Sequence, residues 1–396
     1  MPVSWTLLLV LALAVSGFVV GRARVLAAAG GDSRKLHSRT NYYGWNIALF
    51  TAVPALFLIA IWTFAQPGVN RVLLAAAAVA LAVLGGGLSL ARTNPDFRAR
   101  NAVEAFVRFL LILCSCIAIL TTGGIVFSMV FETGHFFQQY SWSDFLFGTT
   151  WAPKFGGGSQ LGIVPLLWGT MYISFIALAV SIPIGLFAAI YMSEYASPRM
   201  RSFAKPAIEV LAGIPTIVYG LFALITVGPL LRDYFAQPLG LGTSGSSVMT
   251  AGLVMGIMLI PFVSSLSDDI INAVPQSLRD GALGLGSTKS ETIRKVVMPA
   301  ALPGIVGAVL LAASRAIGET MIVVLGAGAA AQMSLNPFEA MTTMTVKIVS
   351  QLTGDTDFSA PETLVAFALG ITLFTVTLAL NVLALYIVRK YREQYE

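Results

Sequence analysis

The chain has 396 residues, 57% of them hydrophobic and only 11% charged, with a net charge of +5 and a mean hydropathy of +0.82. A soluble domain carries about 25% charged residues, so there are too few charges here to cover a water-facing surface, and the same hydrophobicity excludes a disordered chain. Two cysteines exclude a secreted disulfide scaffold. A polytopic membrane protein remains, and the expected fold class is all-α.

Apolar runs predict nine spans, at 4–21, 44–64, 72–91, 106–130, 164–192, 207–230, 248–266, 304–328 and 363–388. Each is near the ~20 residues that cross a hydrocarbon core. The first run reads as an uncleaved anchor, because Met1 to Trp5 carries no positive charge and Arg22 and Arg24 come after the run. The first three spans are rich in Ala, Leu and Val and hold no ionisable residue. Residues 1–100 are therefore expected to form an accessory transmembrane bundle. Residues 101–396 are expected to form a working core of about six spans, in which Gly, Pro, Ser and Thr allow close approach and kinks.

In the fourth span Cys114 and Cys116 point about 200° apart, a poor arrangement for one metal, and are expected to be buried inert thiols. His37 and His135 fall on opposite sides of the membrane, so no histidine metal site is expected. The stretch from Glu132 to Leu161 holds Phe136, Phe137, Tyr140, Trp142, Phe145, Phe147 and Trp151. It reads as an interfacial aromatic belt, as a platform for an external partner, or as both. Glu209 lies in the predicted sixth span close to Lys205, where it either snorkels towards that lysine or faces a pathway.

The basic residues alternate between loops. Nineteen of the 24 Lys and Arg fall on one side, from Arg22 through Arg201, Lys205 and Arg279 to Arg392. Only Arg71, Lys154, Arg232 and Lys347 fall on the other, and Arg315 lies inside a span. The positive-inside rule puts the rich side in the cytosol, with the N-terminus outside and the C-terminus inside. It also accounts for the basic balance without nucleic acid.

The loop 275–303 reads PQSLRDGALGLGSTKSETIRKVVMPAALP. Ser277 with Asp280 is a helix-start signal and Gly286 a stop. Thr288 with Glu291 is a second capping box, and Pro299 is expected to end that helix. Leu278, Ala282, Leu283 and Leu285 give the first helix an apolar side that a partner groove can receive. GLGSTKS at 284–290 is not a phosphate loop, since Thr288 rather than Gly precedes Lys289 and no strand leads into it.

This loop resembles the signature of type I ATP-binding-cassette importer permeases: Glu-Ala-Ala, three residues, Gly, nine residues, Ile, one residue, Leu-Pro. Here Asp280-Gly281-Ala282, Gly286, Val296 and Met298-Pro299 match every gap, with Asp for Glu, Gly for the first Ala, Val for Ile and Met for Leu. The resemblance implies a coupling helix that docks on a separate ATPase, with Leu278, Asp280, Gly281, Ala282, Gly286 and Pro299 as its coupling residues.

Span eight carries SRAIGETMIVVLGAG. Arg315 and Glu319, four apart on one helix, are expected to pair. An intramembrane Arg costs about 2.5–3.5 kcal/mol even on the lenient scale, so this face should point into the bundle or a wet cavity. A guanidinium fork suits an oxyanion, above all phosphate. The carboxylate either holds the fork or relays a proton; the alternative is a static pair that fixes packing.

SRAIGETM, AGIPTIVYGLF (212–222), YMSEYASPRMR (191–201) and FLFGTTWAPKFGGGSQLGIVPLLWGT (145–170) resemble phosphate-specific importer permeases, the PstC and PstA subunits. The family implies a permease for inorganic phosphate in the cytoplasmic membrane, with Arg315 and Glu319 as residues of the substrate pathway; Glu209 is a further pathway candidate from its place in the predicted sixth span alone. It implies a PstA-type second permease, an ATPase homodimer that holds ATP and Mg, and an external phosphate-binding protein. No cofactor is expected on this chain, and the chain itself is not expected to be an enzyme. Residues 1–100 have no counterpart in the compact form of the family. A permease for another oxyanion such as sulfate or molybdate, or a non-conducting sensor or scaffold, remains open. The stretch 329–360, with Asp355 and Asp357, reads as external scaffolding.

Overall fold

The computed structural model describes residues 3–65, 71–154, 157–354 and 359–392. Among them nine helices are long and apolar enough to cross a membrane, and each of the nine predicted spans overlaps one of them. The chain divides into two compact units, Met1–Gly123 and Gly124–Glu396.

The first unit contains α1 (Val3–Ala28), α2 (Thr40–Ala65), α3 (Arg71–Ala91) and the start of α4 (Ala99–Gln139). Lipid tails are as apolar as leucine, so close packing and buried hydrogen bonds must hold such helices together. Gly44 and Gly85 supply the close approach: a β-carbon at either would collide with Phe18 or with the backbone of Phe50. Asn46 donates to the Ser89 hydroxyl at 2.7 Å across α2 and α3. At one end the Tyr43 hydroxyl donates to the carbonyls of Pro95 and Phe97, at 2.9 and 3.0 Å. α1 runs past the predicted 21, so Arg22 and Arg24 ride on its last turns.

α4 has 41 residues and is about 60 Å long, well beyond a bilayer core. No residue of its most apolar stretch is buried. Cys114 and Cys116 are consequently exposed, which corrects the expectation of buried thiols. A predicted apolar helix face need not be covered by its own chain when lipid or a partner can cover it.

In the second unit, α5 (Trp142–Phe147) leads to a small antiparallel ladder, β1 (Trp151–Ala152) on β2 (Gln160–Leu161), with Trp151 opposite Leu161. Phe136, Phe145 and Trp151 turn inward onto Leu161, Leu166 and Leu369, while Trp142 and Phe147 stay exposed. Only part of the aromatic stretch is thus available to an interface.

α6 (Val164–Ile190) passes through a π turn at Tyr191–Tyr195 and is followed by α7 (Pro198–Ala212). The chain then breaks at Gly213–Pro215. α8 (Thr216–Phe222), α9 (Gly228–Leu231) and their π turns make the sixth span, Thr216–Ala236. That span begins nine residues later than predicted. Pro215 has no N–H to continue a helix, and α7 before it has no buried residue.

α10 (Val248–Ala273) is the most enclosed span, its start capped by Ser247 through the Thr250 amide at 3.2 Å. A β-carbon at Gly252 or Gly256 would strike Ile176 or Val180 of α6. α11 (Gln276–Gly284), α12 (Lys289–Thr292) and α13 (Met298–Ile317) come next. After them come α14 (Met321–Gly326), α15 (Met344–Gly354) and α16 (Pro361–Arg392). Asp355 and Asp357 lie outside the described residues.

Helix, glycine turn, helix is the observed order at 276–297, with two corrections. α11 starts on Pro275, and Ser277 caps nothing; Asp280 instead accepts from the Gln276 side chain at 3.1 Å. Pro299 does not end the second helix. A π turn at Ile293–Val297 carries the Met298 amide to the Ile293 carbonyl, and the spare residue absorbs the proline, so Lys289–Ile317 is one span.

Candidate functional site

The first cluster forms where span eight breaks. α13 stops at Ile317 because Gly318 is a poor helix residue, and the chain restarts at Met321. The Glu319 carboxylate sits in the gap and accepts from the amides of Met321 at 3.0 Å and Ile322 at 3.4 Å. A carboxylate placed there satisfies amides that begin a helix and meets the positive end of its dipole. The Thr345 hydroxyl holds the Glu319 carbonyl at 2.8 Å.

Glu319 therefore does not pair with Arg315, contrary to the helix-face expectation. That expectation requires continuous helix between them, and Gly318 removes it. Among the described residues no carboxylate lies within 4.0 Å of the Arg315 guanidinium, which stands 5.7 Å from the centroid of the Phe262 ring on α10. Arg315 is exposed on this chain. It is a cation with an aromatic floor and open donors.

The second cluster lies at the end of the core that carries the basic loops. α11 ends in a Schellman motif: Gly286 has φ +85°, its amide reaches Leu283 at 3.0 Å, and the Ser287 amide reaches Ala282 at 3.2 Å. The Thr288–Glu291 capping box forms as expected. Leu278, Leu283 and Leu285 are exposed, Leu285 at 90%, while Ala282 turns inward. Gly281 has open space around it. Asp280 is exposed, and Pro299 lies in the first turn of α13. An apolar edge thus points away from the chain on a rigidly capped helix.

Arg279, beside that edge, faces the other way. Its Nε donates to Glu194 at 3.0 Å, its Nη1 to the Val274 carbonyl at 2.6 Å and its Nη2 to the Ile271 carbonyl at 2.7 Å. The two side chains are only 11% and 10% exposed. One guanidinium so ties the loop helix to the end of α6 and the end of α10. A cavity of about 430 Å³ opens beside it, lined by Ser193, Asn272, Lys289 and Thr292 among others.

Glu209 is not in a span at all. It sits on the exposed side of α7, away from both clusters' hydrogen bonds. Sequence reasoning used Arg201, Lys205 and Arg279 only to set the topology and missed their acid partners, Asp268 and Glu194. The available signal was acidic: Asp268 and Asp269 close an apolar span directly opposite a basic loop. Among the described residues no group of His, Cys, Asp or Glu is arranged to hold a metal ion.

Residues 181–393 match the family described as the inner membrane component of binding-protein-dependent transport systems. Residues 7–75 match a family described as a phosphate ATP-binding cassette transporter. The chain is 31% identical over 289 residues to the phosphate transport system permease protein PstC of Mesorhizobium japonicum, covering 69% of this chain and 86% of that protein. It is 35% identical over 252 residues to PstC 1 of Mycobacterium tuberculosis, covering 59% and 74%. A crystal structure of a bacterial ABC transporter for import of alginate aligns over 74% of this chain and 98% of that one. Its TM-score is 0.52 at 13% identity, a likeness of fold.

Proposed function

The chain belongs to the PstC-type permeases of the binding-protein-dependent transport family, and from that premise we propose how its own residues carry phosphate and answer to an ATPase. It is a multi-pass subunit of a phosphate importer in the cytoplasmic membrane. The basic side, with α7 and α11, faces the cytosol; the N-terminus lies outside and the C-terminus inside. A second permease of PstA type shares the pathway, an ATPase homodimer with ATP and Mg docks on α11, and an external binding protein delivers the anion.

The observation that carries the reading is Arg315 at the break of span eight, exposed and, among the described residues, without a carboxylate within 4.0 Å. An intramembrane cation without an acid partner is expensive and invites an anion. Its planar fork fits two phosphate oxygens. Glu319 serves the pathway by holding the restart of the helix, which keeps the gap open. Glu209 belongs with the surface helix rather than with the pathway. Leu278, Leu283 and Leu285 enter the ATPase groove, and the capped turn at Gly286 keeps α11 stiff enough to be pushed.

Phosphate uptake by cells that carry Arg315→Gln or Arg315→Lys, with sulfate as competitor, tests the reading. Loss of uptake in the first and partial uptake in the second, both at normal membrane abundance, is the expected result. Normal uptake by Arg315→Gln, or a wild-type complex that moves sulfate in preference to phosphate, would overturn it.

A further inference from the structure

One fully buried acid lies outside both clusters. Asp268, on the last turns of α10, is 0% exposed. Both its oxygens accept from Arg201, at 3.1 and 3.0 Å, and one also accepts from the Lys205 ammonium at 3.0 Å. Asn272, one turn on, donates to it at 2.9 Å. Lys205 makes a second bond to the exposed Asp269 at 3.2 Å. Arg201 and Lys205 are four apart on α7, so one face of that helix presents two cations to one carboxylate. The carboxylate in turn holds the Lys205 ammonium above its ordinary pKa, through their hydrogen bond first.

α7 buries none of its residues, so apolar packing does little to fix it. The Asp268 cluster is its polar attachment to α10. α7 is also tied to the next helix: the Tyr219 hydroxyl on α8 donates to the Leu211 carbonyl of α7 at 2.8 Å. Further along α8, a β-carbon at Gly220 would lie 2.9 Å from the Met321 carbonyl, so α8 packs directly on the turn that Glu319 caps. At the other end, Arg279 fixes the coupling loop to the last carbonyls of the same α10.

We propose that Asp268 is a positioning residue for transport: it clamps α7 to α10, so that a push on the coupling loop carries α7 with α10 and reaches the helix break beside Arg315. This rests on the permease reading above. A surface helix with no fully buried residue would otherwise slip when the end of α10 moves. A buried carboxylate shared by two cations resists that slip, because pulling it free leaves charge unpaired in a dry site.

The test uses the whole complex in liposomes, with Cys114 and Cys116 replaced by Ala and spin labels at Val210 on α7 and Ala273 at the end of α10. In the wild-type background the label distance stays the same in the nucleotide-free and vanadate-trapped states. In Asp268→Asn the distance distribution broadens, ATP hydrolysis persists, and phosphate moved per ATP falls about tenfold or more. Pairing Asp268→Asn with Lys205→Gln removes one stranded cation and keeps the measurement accessible if the single variant assembles poorly. A wild-type distance that changes on trapping would overturn the clamp. So would an unchanged distribution and an unchanged phosphate-to-ATP ratio in the variants. The label distances do not depend on which anion is carried, so a failed clamp and a failed phosphate reading give different results.

Discussion

Replacing Arg279 by Met removes the tie between α11 and the core while keeping the aliphatic stem of the side chain. The geometry dictates two losses. Glu194, 10% exposed, is left without its cation, and the carbonyls of Ile271 and Val274 lose a charged donor. Breaking a buried pair from one side costs about 3–5 kcal/mol, and each orphaned buried carbonyl about 1–3 kcal/mol. Fully dry, these add to about 5 kcal/mol or more; the adjoining cavity lets water reach Glu194 and the carbonyls and offsets roughly half of that, so about 2–3 kcal/mol in all is the expectation. Thermal unfolding of the purified complex measures this, and phosphate moved per ATP measures the loss of coupling. A double-mutant cycle with Glu194→Gln isolates the pair: the two single costs should exceed the double cost by at least about 1 kcal/mol. Additive costs, or Arg279→Met with wild-type stability and coupling, would refute the argument that one guanidinium joins loop and core.

The helix break, the capped turn, the exposed side of α11 and the Lys347 amine each give a further outcome. Glu319→Gln, which keeps an acceptor for the Met321 and Ile322 amides, should retain most uptake, whereas Glu319→Ala should lose it together with about 1 kcal/mol of cap; equal loss in both would favour a proton relay. Gly286→Ala should cost about 1–2 kcal/mol and weaken ATPase binding in a pull-down, because φ +85° strains any residue with a β-carbon. Gly281→Cys on the exposed side of α11 should crosslink to the co-expressed ATPase in a nucleotide-dependent way, and a yield blind to nucleotide would argue against docking there. Burial holds the Lys347 amine below its ordinary pKa, so its charged form burdens the folded state below that depressed value and the burden fades as pH rises towards the ordinary lysine range; Lys347→Met should flatten the rise in melting temperature with pH.

The spans were legible because length and hydropathy are enough to define them, and the coupling loop because its punctuation is local. Gly286 and the Thr288–Glu291 box act within a few residues of themselves. The illegible part depended on partners far along the chain. Asp268 meets Arg201 and Lys205 from more than sixty residues away, and Glu194 meets Arg279 from 85 away, so no spacing rule reveals them. The breaks misled in a different way. Gly318 and Pro299 are both helix-breaking by propensity, yet only the first interrupts the chain. A π turn upstream absorbs Pro299, and no periodicity in the residues announces a π turn.

The break at Gly318 changes what Arg315 can do. With a continuous helix, Glu319 would lie one turn away and neutralise the guanidinium, and an arriving anion would have to displace a carboxylate of comparable strength. In the broken chain the carboxylate is occupied by two backbone amides and leaves the cation to face outward. On the pathway reading proposed above, two unit charges 4 Å apart at an effective dielectric of 20 attract by about 4 kcal/mol before the cost of desolvating them, an upper limit on what one guanidinium gives an anion. That is strong enough to favour entry of an anion over an apolar wall and weak enough to release it when the bundle moves. A paired arginine would bind too little, and a cluster of unpaired ones would hold too long. A single guanidinium on a phenyl floor lies between these limits, and it does so because a glycine ends the helix three residues after it.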